Sequence, residues 1–267
     1  MTGMTKMLPV AWYEFRMQIR KRSLWITIVL ITGLLAVARS GMGPRYASAP
    51  PGASAREVMA RWAFLFAVLL PIGFGMVLAD RLIRDRRLRT TELLTSLPTG
   101  VGGQLGGKYL GSIAATGTPA LLAMLAAAGY EAVRRGDVAM VPWAVVAFAT
   151  VLLPGLAFVA GFALACPLVL TTPLFRVLFV GYWFWGNTLL PETLPTLTGS
   201  LLTPNASYPT SWLLGTTVNY AGIPGPLSFL RPAPTGATAA ASIVLLVVVG
   251  LLPLAVAGLL QTRRRAA

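Results

Sequence analysis

Side chains that commonly perform catalysis are scarce in this chain of 267 residues. It contains no histidine and one cysteine, Cys166. Imidazole bases, histidine metal ligands, intramolecular disulfides and thiolate metal clusters are therefore excluded. The eight acidic residues lie in loops or at the ends of apolar segments, which argues against a transporter that uses carboxylates buried in the membrane. We expect that the chain is not an enzyme and that any energy it uses is released on another chain.

The most distinctive polar stretch runs from Asp80 to Pro98. Its first half is predicted to be a charged helix in which Arg81 and Asp85, four residues apart, pair on one face. Its second half is an apolar-acidic segment, made of Glu92, Leu93, Leu94, Thr95 and Ser96. Short exposed leucine pairs in a charged loop suit docking into a groove on a partner protein. The alternative is a solvated loop whose arginines only set the membrane topology.

A glycine-rich stretch, residues 102–109, approaches the phosphate-binding pattern G-x-x-x-x-G-K-[ST]. Tyr109 stands where this pattern needs the hydroxyl that holds Mg²⁺, and no apolar strand precedes the stretch. We therefore expect no cofactor on this chain. The stretch is interpreted as a flexible turn that leads Lys108 to the membrane interface.

The elements that position these residues are predicted to be membrane helices. The chain is 56% hydrophobic and 11% charged, with a mean hydropathy of +0.72, whereas a soluble chain carries roughly 25% charged residues. Each of six apolar blocks approaches the ~20 residues that cross a hydrocarbon core of ~30 Å. The blocks are residues 24–38, 62–79, 109–130, 141–165, 173–190 and 239–260. The prediction is an all-α integral membrane protein with a single transmembrane domain, residues 1–267, of six helices.

The net charge of +14 would favour nucleic-acid binding if it lay on a soluble face, but the basic residues lie between the apolar blocks. If the N-terminus is inside, fifteen basic residues lie on the inner side and seven on the outer side. The positive-inside rule then predicts a multi-pass protein of the bacterial plasma membrane with both termini in the cytoplasm. The lipid bilayer, and no nucleic acid, is the expected partner of this charge.

The N-terminal stretch, residues 6–23, is predicted to form an amphipathic helix in the membrane interface. One face of this helix is apolar and is made of Leu8, Trp12, Phe15 and Ile19. The polar face, which is expected to point outward, is made of Glu14, Gln18 and Lys21.

Two further segments have two interpretations each. Residues 191–238 carry only Glu192 and Arg231 as charges, and are predicted to form short helices that dip into or lie on the outer leaflet. The alternative is an apolar packing lid without a substrate role. The aromatic residues at the middle of the fifth span are candidates for lining an apolar substrate pathway, or form an interfacial aromatic belt. These candidates are Tyr182, Trp183 and Phe184.

These parts, in this order, resemble the membrane (permease) subunits of type-2 ABC exporters. The leader contributes Trp12-Tyr13-Glu14-Phe15-Arg16, and the loop after the second span contributes Thr91-Glu92-Leu93-Leu94-Thr95-Ser96-Leu97-Pro98, followed by Gly107-Lys108-Tyr109-Leu110-Gly111. The resemblance covers nearly the whole chain. Members of the family often have a glycine before the Glu-Leu-Leu segment, where this chain has Thr90 and Thr91.

The resemblance implies a role for each part. Residues 6–23 would be an elbow helix, residues 80–108 a cytoplasmic coupling loop, and residues 191–238 outer re-entrant helices. Docking of a separate ATP-binding subunit is assigned to Glu92, Leu93, Leu94, Thr95 and Ser96. A second docking surface is assigned to Glu14, Arg16 and Arg20.

The resemblance also implies an assembly. Two permease subunits, identical or different, would pair around a translocation pathway above two ATP-binding subunits, which would hold ATP and magnesium. Because the spans carry no buried charge, the expected substrate is amphipathic, lipid-like, or a hydrophobic peptide or drug.

Two other classes of protein stay open. A membrane enzyme or assembly factor that acts on lipid headgroups at the inner leaflet would use the helix from Asp80 to Arg89 as its polar site. Such enzymes usually need histidine or clustered acids with a metal, and this stretch offers only Asp80 and Asp85. The remaining class is a passive membrane scaffold.

Overall fold

The computed structural model describes residues 3–37, 49–50, 52–83, 100–218 and 220–266. Across these residues the regular structure is entirely helical, which confirms the all-α prediction. The α-helices of this described part are α1 Gly3–Ile19, α2 Arg22–Val37, α3 Ala55–Leu78, α4 Val101–Arg135, α5 Met140–Ala147, α6 Leu153–Ala165, α7 Thr172–Asn187, α8 Ser207–Leu214 and α9 Gly236–Ala266.

Four helical segments of the described chain are long and apolar enough to cross a membrane. They are Ala55–Ile83, Val101–Arg135, Met140–Leu168 and Gly236–Arg263. The first and fifth predicted spans correspond to α2 and α7, which have 16 residues each. At 1.5 Å per residue each of these two helices is about 24 Å long, less than a hydrocarbon core of ~30 Å. The helices therefore support a membrane protein, with four of the six predicted spans meeting the length criterion.

The order of contacts between α3 and α7 shows that these helices are antiparallel. Arg176 Nη2 lies 2.7 Å from Asp80 Oδ2, and farther along α7 the Trp183 Nε1–H donates to Val68 O at 2.9 Å. The bundle therefore has two distinct ends. We call the end at which α3 ends and α4 begins the loop end. The cap end is the opposite one, where the cap segment, residues 188–235, joins α7 to α9.

The fourth predicted span passes through a change of helix type. α5 continues into a π-helix, Phe148–Leu152, and then into α6, with Pro154 in the first turn of α6. A proline has no N–H to donate to the preceding turn and its ring crowds that turn. The N–H of Leu153 reaches Phe148 O, five residues back, so the wider turn accommodates Pro154 without ending the span.

The glycine-rich stretch at residues 102–108 forms the first turns of α4, so its predicted flexible turn is wrong. α1 packs directly against the glycines at 106, 107 and 111 of this helix. A Cβ on Gly107 would lie 2.7 Å from Val10 Cβ, and one on Gly111 would lie 2.5 Å from Ala11 O. Close packing of two backbones offsets the low helix propensity of glycine.

The cap segment folds onto the bundle and contains two short helices, α8 and a 3₁₀-helix at Ser228–Leu230. α8 packs against α3 and α9. The carbonyl of Pro204 approaches α6 so closely that a Cβ on Gly155 would lie 2.6 Å from its oxygen. The cap is therefore packed into the end of the bundle rather than held above it.

Arg231, one of the two charged residues predicted for this segment, holds the cap together. It is 4% exposed, and its guanidinium donates to three backbone carbonyls. Nε–H donates to Thr198 O at 3.0 Å, Nη2–H to Thr196 O at 2.7 Å, and Nη1–H to Pro226 O. A buried guanidinium needs such acceptors because burying an unpartnered charge is costly.

Tyr208 joins α8 to the last part of the cap segment, which leads into α9. Its hydroxyl donates to Pro232 O at 2.7 Å. Burial raises the pKa of Tyr208 to about 12, although a hydrogen bond with the backbone of Gly222 and the charge of Arg231 lower it. The phenol therefore stays neutral and keeps its donor proton at neutral pH.

Candidate coupling site

The five residues predicted to dock an ATP-binding subunit lie in residues 84–99, outside the described residues. They are Glu92, Leu93, Leu94, Thr95 and Ser96, and their docking role stays a prediction. The structure describes the two anchors of this segment, the helical chain that continues to Ile83 and the start of α4 at Val101. The geometry of the candidate site is therefore that of the helices from which the segment leaves and to which it returns.

Arg81, three residues before this segment begins, forms a buried ion pair with Glu14. Arg81 Nε–H donates to Glu14 Oε1 at 2.5 Å, and Arg81 Nη2–H donates to Glu14 Oε2 at 2.7 Å. Glu14 is 1% exposed and Arg81 is 7% exposed. This bidentate, charge-assisted arrangement fixes the relative orientation of α1 and the end of α3.

Gln18 extends the ion pair into a network that includes α4. Its Nε2 donates to Glu14 Oε1 at 2.5 Å and to Ser112 Oγ at 2.7 Å. Gln18 and Ser112 are both fully buried. The four residues, which we call the anchor network, connect α1, α3 and α4 at the loop end: Glu14, Gln18, Arg81 and Ser112.

The predicted outward orientation of Glu14 and Gln18 is wrong. These two side chains point into the protein, whereas Leu8 is 63% exposed and Trp12 is 64% exposed. The physical reason is that the polar face of α1 finds hydrogen-bonding partners on α3 and α4, next to the glycines that permit close approach. The apolar face of α1 is left on the outside of the bundle, where it suits contact with lipid.

The anchor network positions α1 more than it stabilises the fold. Removing two charges from water costs several kcal/mol per ion, and their attraction only partly offsets this cost. Loss of one partner of a buried pair nevertheless costs about 3–5 kcal/mol, because the other charge is left buried. The network therefore selects one placement of α1 relative to α3 and α4.

The three residues of the second predicted docking surface do not lie on one exposed face. Glu14 is buried in the anchor network and does not present its carboxylate to a partner, so its assignment to a docking surface is corrected. Arg16 on α1 and Arg20, which directly follows this helix, are exposed. The two arginines remain candidates for contact with an acidic surface.

The three pathway candidates on α7 do not share one surface. Consecutive residues of an α-helix point about 100° apart. Trp183 is fully buried and bonded to Val68 O, whereas Phe184 is 52% exposed on the outside of the bundle. Tyr182 borders an apolar cavity of about 300 Å³ between α6, α7 and α9. Trp183 and Phe184 do not border this cavity.

The alternative site for lipid-headgroup chemistry is also described in part. The carboxylate of Asp80 pairs with Arg176 at 2.7 Å, and Asp85 lies outside the described residues. Within the described part of the chain, no three acidic or cysteine side chains are grouped so that they could hold a metal ion.

Sequence reasoning missed the partnership of Arg81 with Glu14, which are 67 residues apart. It predicted Asp85 as the partner of Arg81 because helical spacing reveals only local pairs. One available signal was Glu14 itself, an acid on an otherwise basic and apolar leader. Lys108, predicted to lie at the interface, is 8% exposed on α4.

No protein-family model matches this sequence, and no curated protein matches it.

Proposed function

We propose that this protein is the membrane subunit of an ATP-driven exporter, and that a separate ATP-binding subunit docks on residues 84–99 at the loop end. The anchor network is the observation that carries the proposal. It ties the helix that leads into this segment to α1 and to the helix that follows the segment.

The anchor network would pass a movement of residues 84–99 on to the helices, because it holds the ends of this segment firmly to α1. The segment is preceded by Arg81 and followed by α4, which holds Ser112. A displacement of the segment pulls on both helices, and the bidentate ion pair passes it to α1. Because packed interfaces shift between discrete arrangements rather than deform continuously, α1, α3 and α4 would move together when the ATP-binding subunits close.

The proposal includes the topology. α2 and α7 would complete six crossings, and helices this short are accommodated by local thinning of the bilayer. An even number of crossings leaves both termini in the cytoplasm together with the loop end. ATP and magnesium would be held by the partner subunit, and a second permease subunit, identical or different, would complete the pathway. By the family resemblance, the substrate would be amphipathic, lipid-like, or a hydrophobic peptide or drug.

The test is purification of the tagged chain from its native membrane, followed by identification of any bound subunit with a complete phosphate loop and measurement of its ATP hydrolysis. The double variant Leu93→Asp/Leu94→Asp should lose the bound subunit and the ATPase activity that depends on this chain. Val133→Asp, at a residue that is 89% exposed near the cap end of α4, should keep both. Retention of complex and coupled activity in the double variant would show that docking lies elsewhere.

A further inference from the structure

Two adjacent apolar cavities lie along α9. The larger is bordered by the chain from Ala165 to Leu170, and the smaller by α6, α7 and the cap segment. One has a volume of about 350 Å³ and the other of about 300 Å³. Cys166 and Leu170 border both cavities, so the two adjoin each other, and we call them together the lateral groove. The groove is bordered on α9 by Val249 at one end and by Gln261 at the other.

The length of the lateral groove matches one leaflet of a bilayer. Gln261 lies twelve positions after Val249 on α9, which is about 18 Å at 1.5 Å per residue. Half of a hydrocarbon core of ~30 Å is about 15 Å. The groove therefore runs along one leaflet rather than along the whole bundle.

The two ends of the lateral groove differ in chemistry. Toward the cap end it is bounded by Leu197 and Leu202 of the cap segment. Toward the loop end it reaches Leu260 and Gln261, and Arg263 follows as an exposed residue on the same helix. Two more arginines follow in sequence at positions 264 and 265. An apolar groove that is bounded at one end and basic at the other is complementary to an amphiphile with a negative headgroup.

We propose that the lateral groove binds an acyl chain of an anionic phospholipid, with the headgroup next to Arg263. A transmembrane helix of a second copy fits less well. Such a helix is about 10–12 Å wide with its side chains and crosses both leaflets, whereas the groove is bounded by Leu197 and Leu202 after one leaflet. The proposal does not depend on the exporter function, because it rests on α6, α7, α9 and the cap alone.

Four substitutions test binding of the acyl chain in the groove and contact of the headgroup with Arg263 separately. Val256 borders the groove and is 55% exposed, whereas Val248 is 47% exposed on α9 outside the residues that border it. Val256→Trp should fill the groove, and Val248→Trp should only add an indole to the lipid-facing surface. Leu260→Trp is a second groove variant, and Arg263→Gln removes the first of the three charges at the basic end.

The measurement is native mass spectrometry of the purified full chain in detergent, with dioleoyl-phosphatidylglycerol or dioleoyl-phosphatidylcholine added at equal concentration. The wild-type chain and Val248→Trp should retain one phosphatidylglycerol, and should prefer it to phosphatidylcholine about fivefold, as expected for one favourable arginine contact. Val256→Trp and Leu260→Trp should each retain at least fivefold less. Arg263→Gln should lower this preference for phosphatidylglycerol. Thermal unfolding of every variant verifies that it is folded.

Two results would overturn the proposal. The first is equal retention of phosphatidylglycerol by folded Val256→Trp, folded Leu260→Trp and Val248→Trp, which would place the lipid elsewhere. The second is a dimeric wild-type chain that Val256→Trp converts to a monomer with no change in bound lipid, which would assign the groove to a second copy. Neither readout involves ATP hydrolysis, so failure of the lipid proposal and failure of the exporter proposal are distinguishable.

Discussion

At the scale of single residues, the loop end contains a charged pair, Glu14 and Arg81, that is buried rather than exposed. Glu14 looks from the sequence like a surface acid, but it lies in the interior with Arg81, and Gln18 connects the pair to Ser112. The cap uses the same device when Arg231 binds the carbonyls of its own segment. In both places the burial of an ionised side chain is compensated by several short hydrogen bonds, which define one local geometry.

The substitution Glu14→Gln tests the anchor network. It keeps the size of the side chain but removes the negative charge that Arg81 contacts, and breaking a buried ion pair in this way costs about 3–5 kcal/mol. The midpoint of thermal unfolding in detergent should fall clearly. Glu192→Gln, at an exposed residue of the cap segment, is the matched control and should leave the midpoint unchanged. An equal response of the two variants would mean that the Glu14 charge contributes nothing to the fold.

At the scale of elements, the described helices differ in how they meet their neighbours. α1 lies directly on α4 because Gly107 and Gly111 leave no side chain between the backbones. α6 and α9 cross in the same manner where Gly161 faces the backbone at Gly250. In contrast, α9 exposes a row of large apolar side chains, including Val248, to the surroundings. Glycine is therefore a packing residue at the crossings, although it is an unfavourable residue for an isolated helix.

A pair of glycine substitutions on α4 tests this role. A Cβ on Gly111 would lie 2.5 Å from the backbone oxygen of Ala11, so Gly111→Ala should force α1 away and lower the unfolding midpoint. A Cβ on Gly129 would meet nothing within 4 Å. Gly129→Ala should therefore be neutral or stabilising by roughly 0.5–1 kcal/mol, because alanine is the better helix former. If both variants shift the midpoint in the same direction, helix propensity and not close packing determines the outcome.

At the scale of the whole molecule, the antiparallel helices place two chemically different surfaces at opposite ends. The loop end holds the anchor network and the exposed arginines Arg16 and Arg20. The cap end is closed by residues 188–235, whose charges among the described residues are Glu192 and Arg231. The distribution of basic residues along the sequence predicts that the loop end is cytoplasmic.

Cysteine labelling tests the proposed orientation. In a Cys166→Ser background, Ser228→Cys in the exposed 3₁₀-helix of the cap should react with a membrane-impermeant maleimide on intact cells. Thr262→Cys, exposed near the loop end of α9, should react only in inverted vesicles. The opposite pattern would reverse the topology and place the loop end outside the cytoplasm.

Much of the architecture could be predicted from local patterns. Long apolar blocks predict helices because a chain in lipid must satisfy its backbone hydrogen bonds internally, and helices occupy most of each of the six blocks. The helix start at Val101 could not be predicted in this way. Glycines at 102–107 favour a turn by their intrinsic propensity, whereas α1 packs against Gly106 and Gly107 and supports the helix there. The split of Tyr182, Trp183 and Phe184 follows from helical geometry, but which of them faces inward depends on α3 and α6.

The sequence by itself determined the helical class, the apolar segments of membrane-spanning length and the scarcity of catalytic side chains, since each follows from composition or from spacing along one helix. Only the tertiary structure decided that Glu14 meets Arg81, that Gly161 meets Gly250, and that the cap packs on Gly155. These contacts join residues far apart in the chain, and their geometry depends on how whole helices cross. The lateral groove also depends on the tertiary structure. In the sequence, the residues that border it look like those of any helix that faces lipid.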